Sequence, residues 1–482
     1  MLLEGQRKEI RELYLNDIND REFSRFILAL DNLIKSDDWF RIAAIHGATF
    51  LKDDKEILCP TDGKIIAKIM NNGEPTYCCH NDDRFAIWHR VYVREFELLL
   101  RKYDAYVNNT NPMMLPYLNW LNLDNKLFFI NEEMIQVYLE NNELKIINNP
   151  LYSGRIYDDD ITNGYTNNDN KYTVRNGTLL KDFKKSIFSN EKNDIIKILN
   201  YPNYEIVSSN YMTNKNRDYT NFMLGRNSLE IPHNHIHVQI GGTGGSMTNV
   251  QSAPFDPIFW LHHCFIEKIF VAWQVKVTTN GQKPINDSII LPETLNDTLP
   301  PFFNRNIDKF GWQNNTDIYT TTSEWFDHTQ LPYNYNVNDL LEIAKPKNRL
   351  INFLEIFDIF DLLDLTDEIE HKIILDGAPV PLEPCIIHLY LNNPDVNHKD
   401  FYDEKNCAGK YYWFGINRKK VECERCQTTC LSMNFNITEW INNNKINPED
   451  IKNYVIKLKS IGEHTYYDKD IIGNAKFKYI SH

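Results

Sequence analysis

Apolar residues recur every three to four positions through the first part of the chain, the period of helices with one buried face. It is clearest in "REFSRFILALDNLIK" (21–35) and "WHRVYVREFELLLRKY" (88–103), and residues 1–130 as a whole read as helical. Between 140 and 220 the period fades into a polar, Asn- and Tyr-rich stretch such as "YDDDITNGYTNNDNKY" (157–172), which predicts loops between helices. Helical character returns at 228–240 and in "DPIFWLHHCFIEKIFVAWQ" (256–274), where Pro257 suits a first turn. From about 370 the texture changes. "HKIILDG", "CIIHLYLNN", "KYYWFGI" and "CLSMNFNI" are short β-branched and aromatic runs separated by Gly, Asn and Pro. The expected architecture is a mainly α catalytic domain over 1–345, followed by a smaller C-terminal β-sandwich domain over 346–482.

With 482 residues, 42% of them hydrophobic and 24% charged, the chain is long enough for a large core. A net charge of −14 argues against nucleic acid or an anionic membrane as partner, since both select basic surfaces. No apolar run reaches membrane-spanning length. The first residues are charged from Glu4 onward and lack the apolar core of a secretory signal. This points to an intracellular location, unless a leader was removed before the numbering begins. Self-association is compatible with all of this. Nine cysteines, an odd number, fall in clusters, which in a reducing compartment suggests special chemistry more than a disulfide scaffold.

The candidate chemistry begins at "EIPHNHIHVQIGG" (Glu230–Gly242). On a helix His233 and His237 are separated by about 400° and share a face, whereas His235 points about 160° away. A His-x3-His pair suits one first-row metal but does not complete a site. The remaining ligands must come from elsewhere. His262 and His263 diverge by about 100° on their helix, so one of them at most faces a given ion. His46 lies on an apolar helix. His80 and His89 would point to opposite sides of a single helix, and converge only if His80 sits on a loop before the helix that carries His89. Each has a plainer reading alone, His46 as a core histidine and the 262/263 pair as surface polarity. Together they form two sets of three: His46, His80 and His89; then His233, His237 and one of His262 and His263. All-imidazole sets suit copper or zinc, while paired-metal hydrolases recruit carboxylates.

These segments resemble the type-3 dicopper proteins: tyrosinases, catechol oxidases and molluscan-type haemocyanins. His80-x8-His89-Arg90 with Phe85, Trp88 and Glu97 is similar to their first copper signature, and "HNHIH…GG…SAPFDPIFWLHH" to the second. The resemblance runs through most of 35–275 and extends to "LPYLNW", "NPLYSG" and the Tyr333-x-Tyr335 pair. It implies a four-helix-bundle core holding two copper ions, O2 as co-substrate and small phenolic substrates. It also selects His263 over His262, which takes a supporting place. Ala86, Glu267, Leu118 and Asn119 depart from the family's usual Pro, Asp, Trp and Asp. None is a ligand, but Glu267 and Asn119 bear on how the ligands are held.

Three further positions follow from the resemblance. Val250, thirteen residues before His263, occupies the family's gate, where valine is tyrosinase-like and Phe is typical of plant catechol oxidases. Glu230 and Asn234 match a Glu–water–Asn arrangement that takes the phenolic proton, which hydroxylation of a monophenol needs. The plainer alternative is that Glu230 favours the positive end of its helix, worth under about 1 kcal/mol. The expected function is therefore ortho-hydroxylation of monophenols and oxidation of o-diphenols to o-quinones. A haemocyanin-like oxygen carrier is the alternative from another class, a catechol oxidase without monophenolase activity a nearer one, and a zinc hydrolase a distant third.

Cys78-x-His80 has the spacing at which fungal tyrosinases and molluscan haemocyanins form a thioether; a disulfide of Cys59 with Cys78 or Cys79 is the competing reading. In the β domain, Phe414 stands nine residues before Cys423-x2-Cys426, where latent fungal tyrosinases carry the aromatic residue that plugs the substrate pocket. Phe414 as ordinary sandwich core remains open. Cys423 and Cys426 then suit Cu(I) hand-over, with a plain structural pair or half a zinc site with Cys407 and Cys430 as alternatives.

Overall fold

The computed structural model describes residues 3–46, 56–58, 65–68, 78–80, 84–123, 125–156, 166–167, 172–177, 179–180, 189–201, 204–208, 228–279, 325–345, 371–379, 381, 384–391, 407–414, 430–453, 456–461 and 476–481. They fall into two compact units that divide after Lys345.

The first unit is mainly helical: α1 (Ile10–Asp20), α2 (Glu22–Ile34), α3 (Asp37–His46), α4 (Phe85–Lys102), α5 (Ser189–Asn200), α6 (Glu230–Gly241) and α7 (Pro257–Thr279). Asp37 and Asp38 favour the positive start of α3. Pro257 is the first residue of α7, where a missing N–H costs no helical bond. From Pro257 to Gln274 every side chain of α7 is buried, so this helix forms the axis of the unit and does not present a single apolar stripe. It packs on α4, where the Phe96 and Trp260 rings stack at 3.9 Å. The α3 helix is tied to α4 by the Tyr92 hydroxyl, which donates to the Ile42 carbonyl at 2.6 Å.

Two features differ from the loops expected between 140 and 220. Strands β2 (Met134–Tyr138) and β3 (Leu144–Asn148) form an antiparallel hairpin, and α5 is a full helix. Inside the Asn-rich composition, Ile195, Ile198 and Leu199 still keep the helical spacing and are buried. The two ends of the unit meet in a parallel pair, β1 (Gly5–Arg7) against β4 (Tyr333–Tyr335).

The second unit holds two three-stranded antiparallel sheets built from β5 (His371–Pro379), β6 (Cys385–Leu391), β7 (Cys407–Trp413), β8 (Cys430–Asn436), β9 (Ile456–Ile461) and β10 (Lys476–Ser481). Their orders are β7-β6-β9 and β8-β5-β10. Ile373 and Leu375 from one sheet and Ile387, Leu389 and Trp413 from the other belong to one hydrophobic core. A short helix, Thr438–Asn444, adds Ile441 to that core. No helix among the described residues is long and apolar enough to cross a membrane.

Candidate metal centre

Four helices and one non-helical segment of the first unit bring the histidines together. His46 ends α3, His80 sits on a non-helical segment ahead of α4, and His89 lies one turn into α4. His233 and His237 share a face of α6, and His263 projects from α7. His46 Nε2 stands 3.2 Å from His89 Nε2 and 3.4 Å from His80 Nε2. On the other side, His263 Nε2 stands 3.2 Å from His233 Nε2 and 3.1 Å from His237 Nε2. The two groups are neighbours, with the His89 and His263 rings stacked at 4.6 Å.

The other ring nitrogen decides what these close approaches mean. Nδ1 of His46 donates to the Val250 carbonyl at 2.9 Å, that of His89 to the Phe85 carbonyl at 2.8 Å, and that of His237 to the Met247 carbonyl at 3.0 Å. His233 Nδ1 faces the Asn234 side-chain oxygen at 2.8 Å, and His80 Nδ1 faces the Glu230 carboxylate at 3.1 Å. A proton on Nδ1 leaves a bare lone pair on Nε2. The Nε2 atoms of His46, His80 and His89 therefore turn lone pairs toward one another, an arrangement that is repulsive until a cation lies between them, whereas His263 Nδ1 has no acceptor among the described residues to set its tautomer. Two imidazoles bound at about 2.0–2.1 Å to one tetrahedral ion have their nitrogens about 3.3 Å apart, so the observed spacing fits. Burial, with neighbouring imidazoles adding to it, holds His46, His89, His233, His237 and His263 well below the ordinary histidine range, which keeps them neutral and able to bind a metal.

His262 is the close competitor. It is fully buried, and one of its nitrogens lies within 4.8 Å of those of His233, His237 and His263. Burial pushes it down to about 3. Its ring is stacked on that of His233 at 5.2 Å, and no approach of its nitrogens to those of His233 or His237 is as close as the 3.2 and 3.1 Å of His263 Nε2. The geometry selects His263. His235 is turned away, its Nδ1 3.6 Å from the Glu191 carboxylate.

The remaining sequence candidates divide. Glu230 and Asn234 are both buried beside the centre, but each contacts a ligand ring, and no direct bond between them is seen. Val250 is buried and contributes its backbone carbonyl to His46. Cys78 Sγ lies within 4.8 Å of ring nitrogens of His46 and His80. Phe414 is buried directly after β7. Cys423, Cys426 and Cys59 lie outside the described residues.

Behind the centre is a buried ionic frame that the sequence reading did not identify as a unit. Glu267, four residues after His263, accepts from Arg90 at 3.0 Å, Arg7 at 2.6 Å, Tyr333 at 2.6 Å and Tyr335 at 3.0 Å. Arg7 also donates to Glu97 at 2.8 Å, and its guanidinium lies 3.6 Å from the Tyr333 ring centre. Glu267, unusual at its position, thus reaches four partners with its longer arm. The frame ties the β1–β4 pair to the two helices that carry His89 and His263. Leu118 N donates to the Leu261 carbonyl at 3.0 Å, so the "PYLNW" segment also packs on α7, although the buried Asn119 side-chain oxygen has no partner among the described residues.

Comparisons agree with this geometry. The model of the common central domain of tyrosinase matches residues 36–276. A tyrosinase of Neurospora crassa is 28% identical over 306 residues, covering 56% of this chain and 43% of its own. A hemocyanin A-type chain of Enteroctopus dofleini, units Ode to Odg, is 25% identical over 334 residues, covering 67% of this chain and 22% of its own. The chain therefore spans less than half the length of either relative. Among solved structures, deoxygenated hemocyanin from Rapana thomasiana aligns with a TM-score of 0.64 at 18% identity, covering 100% of both chains. The melB holo-protyrosinase of Aspergillus oryzae also gives 0.64 at 18% identity, covering 99% of this chain and 95% of its own. With half of its length matched by that central domain, the chain belongs to the tyrosinase family of type-3 copper proteins.

Proposed function

We propose that the chain is a phenol oxidase that uses O2 at two copper ions, ortho-hydroxylating monophenols and oxidising o-diphenols to o-quinones. The observation that carries this reading is the two neighbouring sets of imidazoles whose Nε2 atoms approach one another at 3.1–3.4 Å. His46, His80 and His89 would hold one ion, and His233, His237 and His263 the other. Bound copper supplies reversible O2 binding and two-electron redox chemistry. In the monophenol reaction one oxygen atom of O2 enters the ring, the other leaves as water and the product leaves as the o-quinone, so that the phenol itself supplies all the electrons; in the diphenol reaction two diphenols reduce one O2 to two waters.

The chain's own residues do the rest. Val250, buried with its carbonyl on His46, is read as the gate residue, a smaller side chain than the Phe typical of plant catechol oxidases. Asn234 and Glu230 fix His233 and His80, and Glu230 with Asn234 is read as the group that takes the phenolic proton through a water. Cys78 is placed for a thioether to the His80 ring: the sulfur–carbon bond replaces one S–H and one C–H, and O2 leaves with both hydrogens as hydrogen peroxide. The second unit, read as a β-sandwich, serves as a cap with Phe414 as its plug, while Cys423 and Cys426 pass Cu(I) to the empty chain.

A second reading, reversible oxygen carriage, is favoured by the hemocyanin relatives. Copper-loaded full chain, and chain cleaved after about residue 345, assayed on a monophenol and an o-diphenol separate the two. Quinone formation coupled to O2 uptake supports the oxidase, with cleavage or Phe414→Gly raising turnover several-fold. An oxygenated form that turns over neither substrate, cleaved or whole, supports the carrier.

A further inference from the structure

Ten large apolar side chains are exposed among the described residues, and six of them gather in one place on the first unit. Leu15 and Ile18 of α1, Phe128, and Met134 and Leu144 of the β2–β3 hairpin border an open groove of about 460 Å3. Ile146, two residues beyond Leu144, projects from the same face of β3. Ile18 is 67% and Ile146 64% exposed, values out of keeping with side chains that only fill space. Scattered exposed apolar residues are ordinary, whereas a contiguous patch marks an interaction surface.

The backbone beside the patch shows what kind of partner fits. The outer edge of β2 is already covered: Tyr138 N donates to Ser24 Oγ at 2.8 Å, and the Tyr106 hydroxyl donates to the Tyr138 carbonyl at 2.7 Å. The outer edge of β3 has no strand against it among the described residues. Its sequence, Leu-Lys-Ile-Ile-Asn, carries one charge and no proline, so it lacks most of the devices that protect a sheet edge.

We propose that this face is an isologous dimer interface, in which β3 pairs antiparallel with β3 of a second copy. A two-fold axis through Ile146 uses the whole strand, setting Leu144 against Asn148 and Lys145 against Ile147 of the other copy. Like charges are then not directly opposed, and the Ile146 side chains meet at the axis. The six apolar side chains expose about 600 Å2 per copy, against the about 800 Å2 that each partner buries in a standard interface, and the strand edge and polar rim supply the remainder. Because the groove and the protruding isoleucines occur on the same face, each copy offers both halves of the fit.

Sedimentation velocity of the intact chain from about 1 to 50 μM at physiological salt tests this. The wild type sediments as a dimer in the upper part of that range. Ile146→Lys on the strand and Ile18→Lys on the helix each shift dissociation to at least tenfold higher concentration, with unchanged circular dichroism and copper content. Both positions are solvent-exposed, so folding is not at stake. A wild type that stays monomeric throughout, or a dimer that both variants leave intact, overturns the proposal.

Discussion

Glu230 Oε1 lies 3.1 Å from Nδ1 of His80, joining the first turn of α6 to the one ligand that is not on a helix. A carboxylate behind a metal-binding imidazole orients the ring and raises its basicity. This makes Glu230 a positioning residue for the first metal as well as the candidate proton acceptor. Glu230→Ala is expected to lower copper affinity at that site by about 10–100-fold. Glu230→Gln keeps an acceptor oxygen, so its affinity stays closer to wild type while monophenol hydroxylation falls more than diphenol oxidation. Copper titration of the emptied chain, set beside rates on both phenols, checks the split. Equal losses on both phenols would leave only the positioning role.

The choice among the clustered histidines has a direct test. His263→Ala should bind one copper per chain and lose all oxidase activity. His235→Ala should keep two, since that ring faces Glu191. Metal analysis after dialysis reads the outcome, and the reverse pattern would show that the trios are misassigned.

The frame behind the site should govern acid stability. Burial alone would raise the Glu97 carboxyl, but Arg7 and Arg94, with Arg101 beyond them, outweigh it and hold it down at about 2. An unfolded glutamate titrates near 4.3. A depressed folded value means that the stabilisation is complete above about pH 4.3 and is lost as pH falls toward 2, a change on the order of 3 kcal/mol. Glu97→Gln should remove that dependence and cost about 3 kcal/mol at neutral pH, because Arg7 and Arg94 each lose one carboxylate, Arg7 keeping Glu267 and Arg94 keeping Glu4. Denaturant midpoints of the metal-free chain against pH measure both effects.

Cys78 gives a prediction that needs no activity. Thioether formation removes two hydrogens, so after copper loading in air the peptide joining Cys78 and His80 should be about 2 Da lighter and resist alkylation after reduction. A Cys78 that alkylates fully after this treatment would rule the bond out, and a mass that reduction restores would indicate a disulfide.

The convergence of the histidines was legible in the sequence because imidazoles at fixed helical spacing report direction: His233 and His237 share a face, and His80 has to leave the helix of His89. The acceptors that set their tautomers were not legible. Phe85, Met247 and Val250 act through backbone carbonyls, which any residue type could supply. The α5 helix was hidden by its Asn-rich surroundings, although Ile195, Ile198 and Leu199 carried its period. Arg7 gave no local signal, since its partners Glu97, Glu267 and Tyr335 stand 90, 260 and 328 positions away. The choice between His262 and His263 needed the family resemblance first and the ring geometry afterwards.

The central claim is that two three-histidine sites sit close enough to share one O2. Copper analysis of the reconstituted full chain, with a near-ultraviolet spectrum taken before and after O2 reaches the reduced protein, tests it most directly. The account predicts two coppers per chain and an intense near-ultraviolet band that appears with O2 and disappears when O2 is removed. A chain that binds one copper, or two coppers with no O2-dependent band, would contradict it.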